Sequence, residues 1–596
     1  MKRCAVAAAF AAFPIFALAQ NVGNGTNYQN PSAPNYQAPT VPPAPTYTLP
    51  AVPELPSEST AAATGGQIFV KRIEVRGVKA FRPTAIAAVT SPYENRVVSG
   101  GELQNLRIAL TRLYIDKGFI NSGVVLPDQQ SKDGLVVFQA IEGTLGRVDV
   151  VGKAKLSKNY IKWRIRSHIG DPLNIADLRY ALRYLQEDPN VLRLDARFGP
   201  GDQLGQGVLT VKVEDQPRFS VGLGADNHHS SVTGANEATA FFGARNLTGY
   251  ADEIRGSVVR THGDTEGSAI FSVPVAPNNA SFQMYYSRSS AGIIEQTFQT
   301  LDIKETTRTY GLSLSVPLLD RLSNRAAVFV GAESDRSFTE LLGTPFSFSP
   351  GAQNGVSAVA VALGGIDWVL HGKASVSDLR LTYKRGLNAL GATISSPGDN
   401  SLGFSANPTG ADGRFGLEQL QYIFVQRLNG FSAWSHLNDR AQLIVRASGQ
   451  ITQQPLLLLE KFTIGGVDTV RGFPENLLVR DNGTAATLEL QIPVPGYHTD
   501  PDARNLVAAA FLDYGRSWDK INTDPSNPLV NTTEPLYIAS AGLGLLWNPV
   551  RGLDAHLYWG RGIANNFHNA DDPLVAVPND LQKRGIHFAV NYVCRW

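Results

Sequence analysis

The chain has 596 residues, and 53 Lys and Arg against 52 Asp and Glu leave a net charge of +1. A balance this close to neutral excludes strong non-specific nucleic-acid binding, which needs clustered positive charge. No apolar run approaches the ~20 residues of a membrane-crossing helix, so a helical membrane protein is excluded as well.

The first signal along the chain is Met1-Lys2-Arg3, followed by an apolar stretch over residues 5–19 that is interrupted by Pro14 and ends Ala17-Leu18-Ala19. A basic start, a short apolar segment and a small-residue site make residues 1–19 a secretory signal peptide, with cleavage expected near Ala19. Residues 20–66 carry nine prolines between positions 31 and 56, among Ala, Thr, Asn and Gln, and read as a Pro-rich linker. No amphipathic helix is legible there, so no helical plug is expected.

Two related units follow, expected at residues 67–143 and 144–216. In the first, Phe69, Ile73 and Val75 mark a strand, and Leu103, Leu106, Leu110 and Leu113 share one face of a helix. Ser99 with Glu102 forms a capping box for that helix, and Gly118 is its stop. Strands should follow around residues 124–126 and 135–141. The second unit repeats the order about seventy residues later, with Val148 and Val150, then Ile175, Leu178, Leu182 and Leu185 at the same helical spacing, then strands over 192–198 and 209–213. The repeat implies two α+β modules of one design, each with helices covering a sheet face; the leucines are core.

From Arg218 the period changes to two. Phe219, Val221, Leu223 and Ala225 alternate with small or polar residues, as do Leu312, Leu314 and Val316, and Ala441, Leu443, Val445 and Ala447. Connections of mixed length separate such segments, some long, such as 339–355 and 388–413. In the last segment Ile586, Phe588, Val590, Tyr592, Cys594 and Trp596 share one parity, while His587, Asn591 and Arg595 take the other. One face suits lipid and one an aqueous lumen. Because lipid offers no hydrogen bonds, strands cross it only in a closed barrel, so residues 217–596 are expected to form an antiparallel transmembrane β-barrel.

Two modules ahead of a barrel resemble the outer-membrane polypeptide-transporter superfamily and, within it, the two-partner secretion transporters of the haemolysin secretion/activation type. In the first module the resemblance rests on Tyr114-Ile115-Asp116-Lys117-Gly118-Phe119-Ile120, Val125-Leu126-Pro127-Asp128-Gln129 and Ile141-Glu142-Gly143. In the second it rests on Gly170-Asp171-Pro172-Leu173-Asn174 and Pro200-Gly201. In the barrel, Asn246-Leu247-Thr248-Gly249 is similar to an early-strand turn, and Gly465-Gly466-Val467-Asp468-Thr469-Val470-Arg471-Gly472-Phe473 to the hallmark of the sixth extracellular loop, which folds back into the lumen. Phe511-Leu512-Asp513-Tyr514-Gly515 is similar to the partner motif on a barrel strand.

The resemblance implies sixteen strands, two polypeptide-transport-associated (POTRA) modules in the periplasm, and a Trp596 that serves as the C-terminal signal for barrel assembly. It also implies a large exoprotein partner carried in unfolded form, whose folding outside the cell supplies the free energy. Outer-membrane lipids and, during biogenesis, the barrel assembly machinery are further expected partners, and the protein is expected to be a monomer. An assembly factor that inserts other barrels and a passive porin are the alternatives. Whether the cargo is an adhesin, a haemolysin or a contact-dependent toxin stays open.

The residues agree with the motif in one respect. Leu506, Ala508, Ala510 and Leu512 would face lipid, which turns Phe511, Asp513 and Gly515 to the lumen, where Asp513 can take a bidentate hydrogen bond from Arg471. Gly472 would let the loop tip turn tightly or lie close to the wall. The pair either locks the loop in place or forms a gate that shifts as cargo passes.

Signals of catalysis are weak. His228-His229 adjoin a turn and are not expected both to face inward from a strand, so no metal site is expected. Gly152-Lys153 and Gly372-Lys373 are followed by Ala, without the Ser or Thr of a phosphate-binding loop. No catalytic residue, cofactor or nucleic acid is therefore expected.

Overall fold

The computed structural model describes residues 66–130, 133–276, 278–294, 301–348, 351–394, 410–428, 441–494, 505–520, 534–567 and 579–596. The expectations of a signal peptide, of a Pro-rich linker and of no plug helix fall before residue 66 and lie outside the described residues. The chain divides into two compact units: one ends at Gln216 and takes in residues 248–251, and the other holds Pro217–Leu247 and Asp252–Trp596.

In the first unit, the strand read through Phe69, Ile73 and Val75 divides in two. Gln67–Val70 pairs antiparallel with Arg96–Ser99, whereas Arg72–Arg76 runs parallel to Leu135–Ile141, which pairs in turn with Gly123–Val125. The division falls at Lys71, where the Gly134 carbonyl accepts from the Lys71 N–H at 2.8 Å and from the Arg72 N–H at 3.3 Å. The long helix, Gly100–Asp116, starts on a full capping box: Ser99 Oγ accepts from the Glu102 N–H at 3.3 Å, and the Glu102 carboxylate accepts from the Ser99 N–H at 2.7 Å. Those contacts, with Arg96 beside them, pull the Glu102 carboxyl down to about 2. Ser99→Ala should destabilise this helix by about 1 kcal/mol, read as faster amide hydrogen exchange over its first turn.

Leu103, Leu106 and Leu110 are buried as their spacing requires, but Tyr114 takes the inner position next to the half-buried Leu113. The Tyr114 hydroxyl donates to Glu142 at 2.9 Å, and the same carboxylate oxygen accepts from the Lys79 and Ala80 N–H groups at 2.7 and 2.8 Å. One Glu thus ties helix, sheet and an incoming loop together, which gives Ile141-Glu142-Gly143 a physical role.

The second module repeats the design. Thr144–Val151 runs parallel to Gln206–Asp215, which pairs antiparallel with Val191–Pro200, and helix Ile175–Gln186 covers the sheet with Leu178, Leu182 and Leu185 fully buried. Asn174 caps that helix by accepting from the Ala176 N–H at 2.9 Å. Each module also holds a short helix, Pro83–Thr90, which packs Ile86 and Val89 on the core, and Lys158–Arg166, which buries Tyr160, Ile161 and Ile165. In the latter, the inner face includes Arg164, which is paired with Asp188 at 3.1 Å and lies over the Tyr184 ring at 4.9 Å.

The second unit is a closed antiparallel barrel of sixteen strands, from Phe219–Asp226 to Ile586–Arg595, with Thr344–Pro345 as a two-residue addition beside one hairpin. The last strand closes on the first through the register Ala589↔Asp226 to Arg595↔Ser220. Trp596 extends this seam, its N–H and C=O exchanging hydrogen bonds with Phe219 at 3.1 Å each while its ring faces outward.

Burial is inverted relative to a soluble sandwich. Tyr310, Leu312, Leu314, Leu512, Leu543, Leu545 and Trp559 are exposed on the outer face, while Glu333, Asp335, Lys384, Glu489 and Asp513 are buried on the inner one. Strand Asn505–Trp518 keeps the parity read from sequence, with 508, 510, 512 and 514 outward and 509, 511, 513 and 515 inward. An apolar belt around a polar lumen is what a bilayer selects.

Candidate functional site

Between strands Gln442–Thr452 and Asn482–Pro493 the chain turns into the lumen. A short helical turn, Leu458–Glu460, leads into the hairpin Phe462–Ile464 with Leu478–Arg480, whose tip holds the glycine-rich motif. Gly465 and Gly466 adopt φ of 116° and 94°, and Thr469 Oγ1 bridges back to Gly465, accepting from its N–H at 2.8 Å and donating to its carbonyl at 3.0 Å. Glu475 Oε1 accepts from the Val467 N–H at 2.7 Å. Burial and the nearby Asp468 push the Glu475 carboxyl well above its ordinary range. The tip is thus braced by hydrogen bonds of its own.

One side of the hairpin is apolar. Phe462, Ile464, Val470, Phe473 and Leu478 form a buried cluster with Ile538 of strand Leu536–Val550. Arg471 leaves this cluster on the other side and is 1% exposed. Its Nε and Nη2 donate to Asp513 Oδ2 and Oδ1, both at 2.9 Å, and its own N–H also reaches Oδ2 at 2.9 Å. Nη1 donates to Glu489 Oε2. The guanidinium lies 3.7 Å from the Phe511 ring centroid and 4.8 Å from that of Tyr558. Burial alone would favour loss of its proton; the Asp513 and Glu489 carboxylates more than offset this and keep the group charged.

Gly472 has φ 94°, and a Cβ there would sit 2.8 Å from the Gly560 carbonyl carbon on strand Leu553–Asn565. The motif therefore needs glycine twice over, for conformation and for backbone contact. Gly515 has a related role: a Cβ there would lie 2.4 Å from Ile464.

At the base of the loop, Lys461 bonds Asp481 and Asp519 at 2.9 Å each, and those carboxylates raise its pKa despite burial. The descending limb is held elsewhere on the wall: Lys384 Nζ lies 2.8 Å from Glu333 and 3.2 Å from Glu460.

The structure thus brings together Val470, Arg471, Gly472, Phe473 and Asp513, and places Trp596 apart from them at the seam. Sequence reasoning missed Glu489, Phe511 and Tyr558 as partners of Arg471, although Glu489 stands between Leu488 and Leu490 in a period-two pattern that turns it inward. It also missed Lys384 and Glu460. The expectation that His228 and His229 do not both turn inward is corrected. Their strand ends at Asp226, so alternation does not bind them. His229 is fully buried and meets Thr233 Oγ1 at 2.6 Å, and the largely buried His228 stacks on His556 at 5.5 Å.

A closed barrel with a polar lumen, a loop tied inside it and two modules ahead of it defines an outer-membrane transporter of the polypeptide-transporter superfamily. Residues 205–546 match the family described as haemolysin secretion/activation protein ShlB/FhaC/HecB, and residues 68–143 match the POTRA domain of the ShlB type. The chain belongs to the haemolysin secretion/activation family. An outer membrane transporter CdiB of Dickeya dadantii is 24% identical over 448 residues, which cover 73% of this chain and 74% of that protein. One of Escherichia coli is 24% identical, covering 83% and 80%. The solved structure of CdiB from Escherichia coli shares the fold with a TM-score of 0.63 at 20% identity, covering 91% of this chain and 93% of that one. The protein is thus a two-partner secretion transporter of the outer membrane with its modules in the periplasm, and transporters of this kind act with a secreted exoprotein.

Proposed function

We propose that this transporter takes its exoprotein partner in unfolded form, captures it as an added strand on an outer strand of the module sheets, and passes it through the lumen once the loop is displaced. The carrying observation is the burial of Arg471 between Asp513 and Glu489, which joins the loop to two wall strands and leaves it across the route of a passing chain. Each module has a three-stranded sheet with two outer strands, and main-chain bonding there gives affinity without demanding one fixed sequence. Module boundaries at 67–143 and 144–216, a barrel from 217, contact with outer-membrane lipid, folding by the barrel assembly machinery, a monomeric state and the lack of enzymatic activity or metal belong to the same reading.

The test is a search for a neighbouring reading frame that encodes a large secreted repeat protein, followed by co-expression of that protein with the transporter. Deletion of the transporter should leave that protein cell-associated and degraded while other barrels assemble normally. Undiminished secretion together with a general loss of outer-membrane barrels would instead mark an assembly factor.

A further inference from the structure

Three carboxylates, Glu333, Asp335 and Glu460, are buried inside the barrel with oxygens within 4.8 Å of one another. Lys384 reaches into this group and contacts two of them, Glu333 at 2.8 Å and Glu460 at 3.2 Å, and all three of these side chains are nearly inaccessible. Glu333 and Asp335 lie on strand Asn324–Leu341 and Lys384 on Ser375–Leu387, whereas Glu460 lies on the loop. The two wall strands are already joined by continuous ladders through Val356–His371, so the lysine is not needed for their pairing. What it joins is the loop to the wall.

The wall side of this contact is prearranged. Tyr285, Gly311 and Glu333 stand in register on three successive strands, and a Cβ at Gly311 would lie 2.0 Å from the Tyr285 ring. The ring can therefore cross the middle strand and donate its hydroxyl to Glu333. That hydroxyl directs Glu333, and Glu333 directs Lys384. The loop also meets the wall here through other groups: the Glu460 carbonyl accepts from Gln450 Nε2 at 2.7 Å, and Leu457 and Leu459 pack among Val359, Val361, Phe415 and Leu417. Between this place and the strand of Glu489 the wall runs through Gly416–Arg427 and Gln442–Thr452.

We propose that Lys384 is a positioning residue of the transporter, a further tether that holds the descending limb of the lumenal loop through the Glu460 side chain, so that opening the lumen requires its release as well as that of Arg471. This rests on the reading of the loop as the element that moves for transport. A buried ammonium facing three carboxylates does not leave singly, because each charge left unpaired in a low-dielectric site is costly. The loop is then held as one body at separate places along the wall, and cargo that breaks one tether meets the other.

The test is single-channel conductance of the full-length protein in planar bilayers, with heat-modifiable mobility reporting a folded barrel. Glu460→Gln removes the charge on the loop and leaves the Lys384–Glu333 pair of the wall intact. It should raise the frequency of wide openings at least about tenfold, the shift that ~1.4 kcal/mol of lost tether represents. Lys384→Met should do the same, and the double variant should open no more often than either single one, since both break one contact. If Glu460→Gln stays closed while Arg471→Ala opens, this further tether is refuted and the mobile loop survives; if Arg471→Ala also stays closed, the parent reading fails. Opening induced in the unmodified protein by EDTA would show a metal ion in place of the lysine as the tether and would overturn the proposal. Should Lys384→Met fail to fold, Glu460→Gln alone decides.

Discussion

Arg471→Ala is expected to lower secretion of the partner by an order of magnitude or more in a barrel that still reaches the outer membrane. Removing the guanidinium leaves Asp513 and Glu489, 3% and 0% exposed, without their shared cation. Breaking a buried ion pair from one side costs about 3–5 kcal/mol, far more than an exposed pair would. The loss falls on loop docking, because the wall strands keep their ladders through Thr487↔Asp513 and Glu489↔Phe511. Arg471→Lys should recover only part of the activity. One ammonium cannot reproduce the fork that bonds both Asp513 oxygens and Glu489 while its carbon lies 3.7 Å from the Phe511 ring centroid. Asp513→Asn should be milder than Asp513→Ala, since the amide oxygen can still accept one of the hydrogen bonds that Arg471 gives to Asp513, whereas Ala accepts none. Quantified secretion per folded barrel is the measurement; normal secretion by Arg471→Ala at normal barrel levels would remove the pair from the transport cycle in both its locking and its gating form.

The second large effect is expected at the backbone crossing. Gly560→Val should exclude the loop tip from its seat even though Arg471 and both carboxylates are unchanged. A Cβ at position 560 would lie 2.8 Å from the Gly472 nitrogen and 2.9 Å from the Arg471 carbonyl carbon, and both neighbours are main chain that cannot rotate away. Displacing the tip also withdraws Val470 and Phe473, 0% and 3% exposed, from their apolar cluster. Burial of two such side chains is worth about 3–6 kcal/mol, so the two losses reinforce each other. Gly472→Val should act in the same direction through its φ of 94° as well as through contact. The expected readout is protease cleavage within residues 465–477 of the folded barrel, absent from the unmodified protein; a tip that stays protected in Gly560→Val would contradict this geometry.

These two expectations differ in how far the chain itself announces them. Arg471 and Asp513 are foreseeable because a four-residue motif points to one and the alternation of Leu506, Ala508, Ala510 and Leu512 turns the other inward. Gly560 is unannounced: it lies in Tyr558-Trp559-Gly560-Arg561-Gly562, where nothing local says which backbone will pass over it. The same holds for Lys384, 51 residues from Glu333 and 76 from Glu460. In the modules the capping box at Ser99 and Glu102 is local and so was legible. The helix Lys158–Arg166 was not, because it is short and its inner face of Tyr160, Ile161 and Ile165 is interrupted by an inward Arg164 that Asp188 satisfies.

Alternation along the chain settles which side of each strand meets lipid and which meets the lumen. A period of two is a property of the extended backbone, and a solvent without hydrogen bonds forces both the closure and the apolar outer face. What fills the lumen is decided only by closure itself. The join of residues 586–595 to 219–226 fixes the curvature that brings Asp513, Glu489 and Gly560 around one loop tip and Lys384 and Glu333 around its descending limb. Contacts of that kind depend on strand register and on distances across a closed wall, and neither quantity is written in any local stretch of residues.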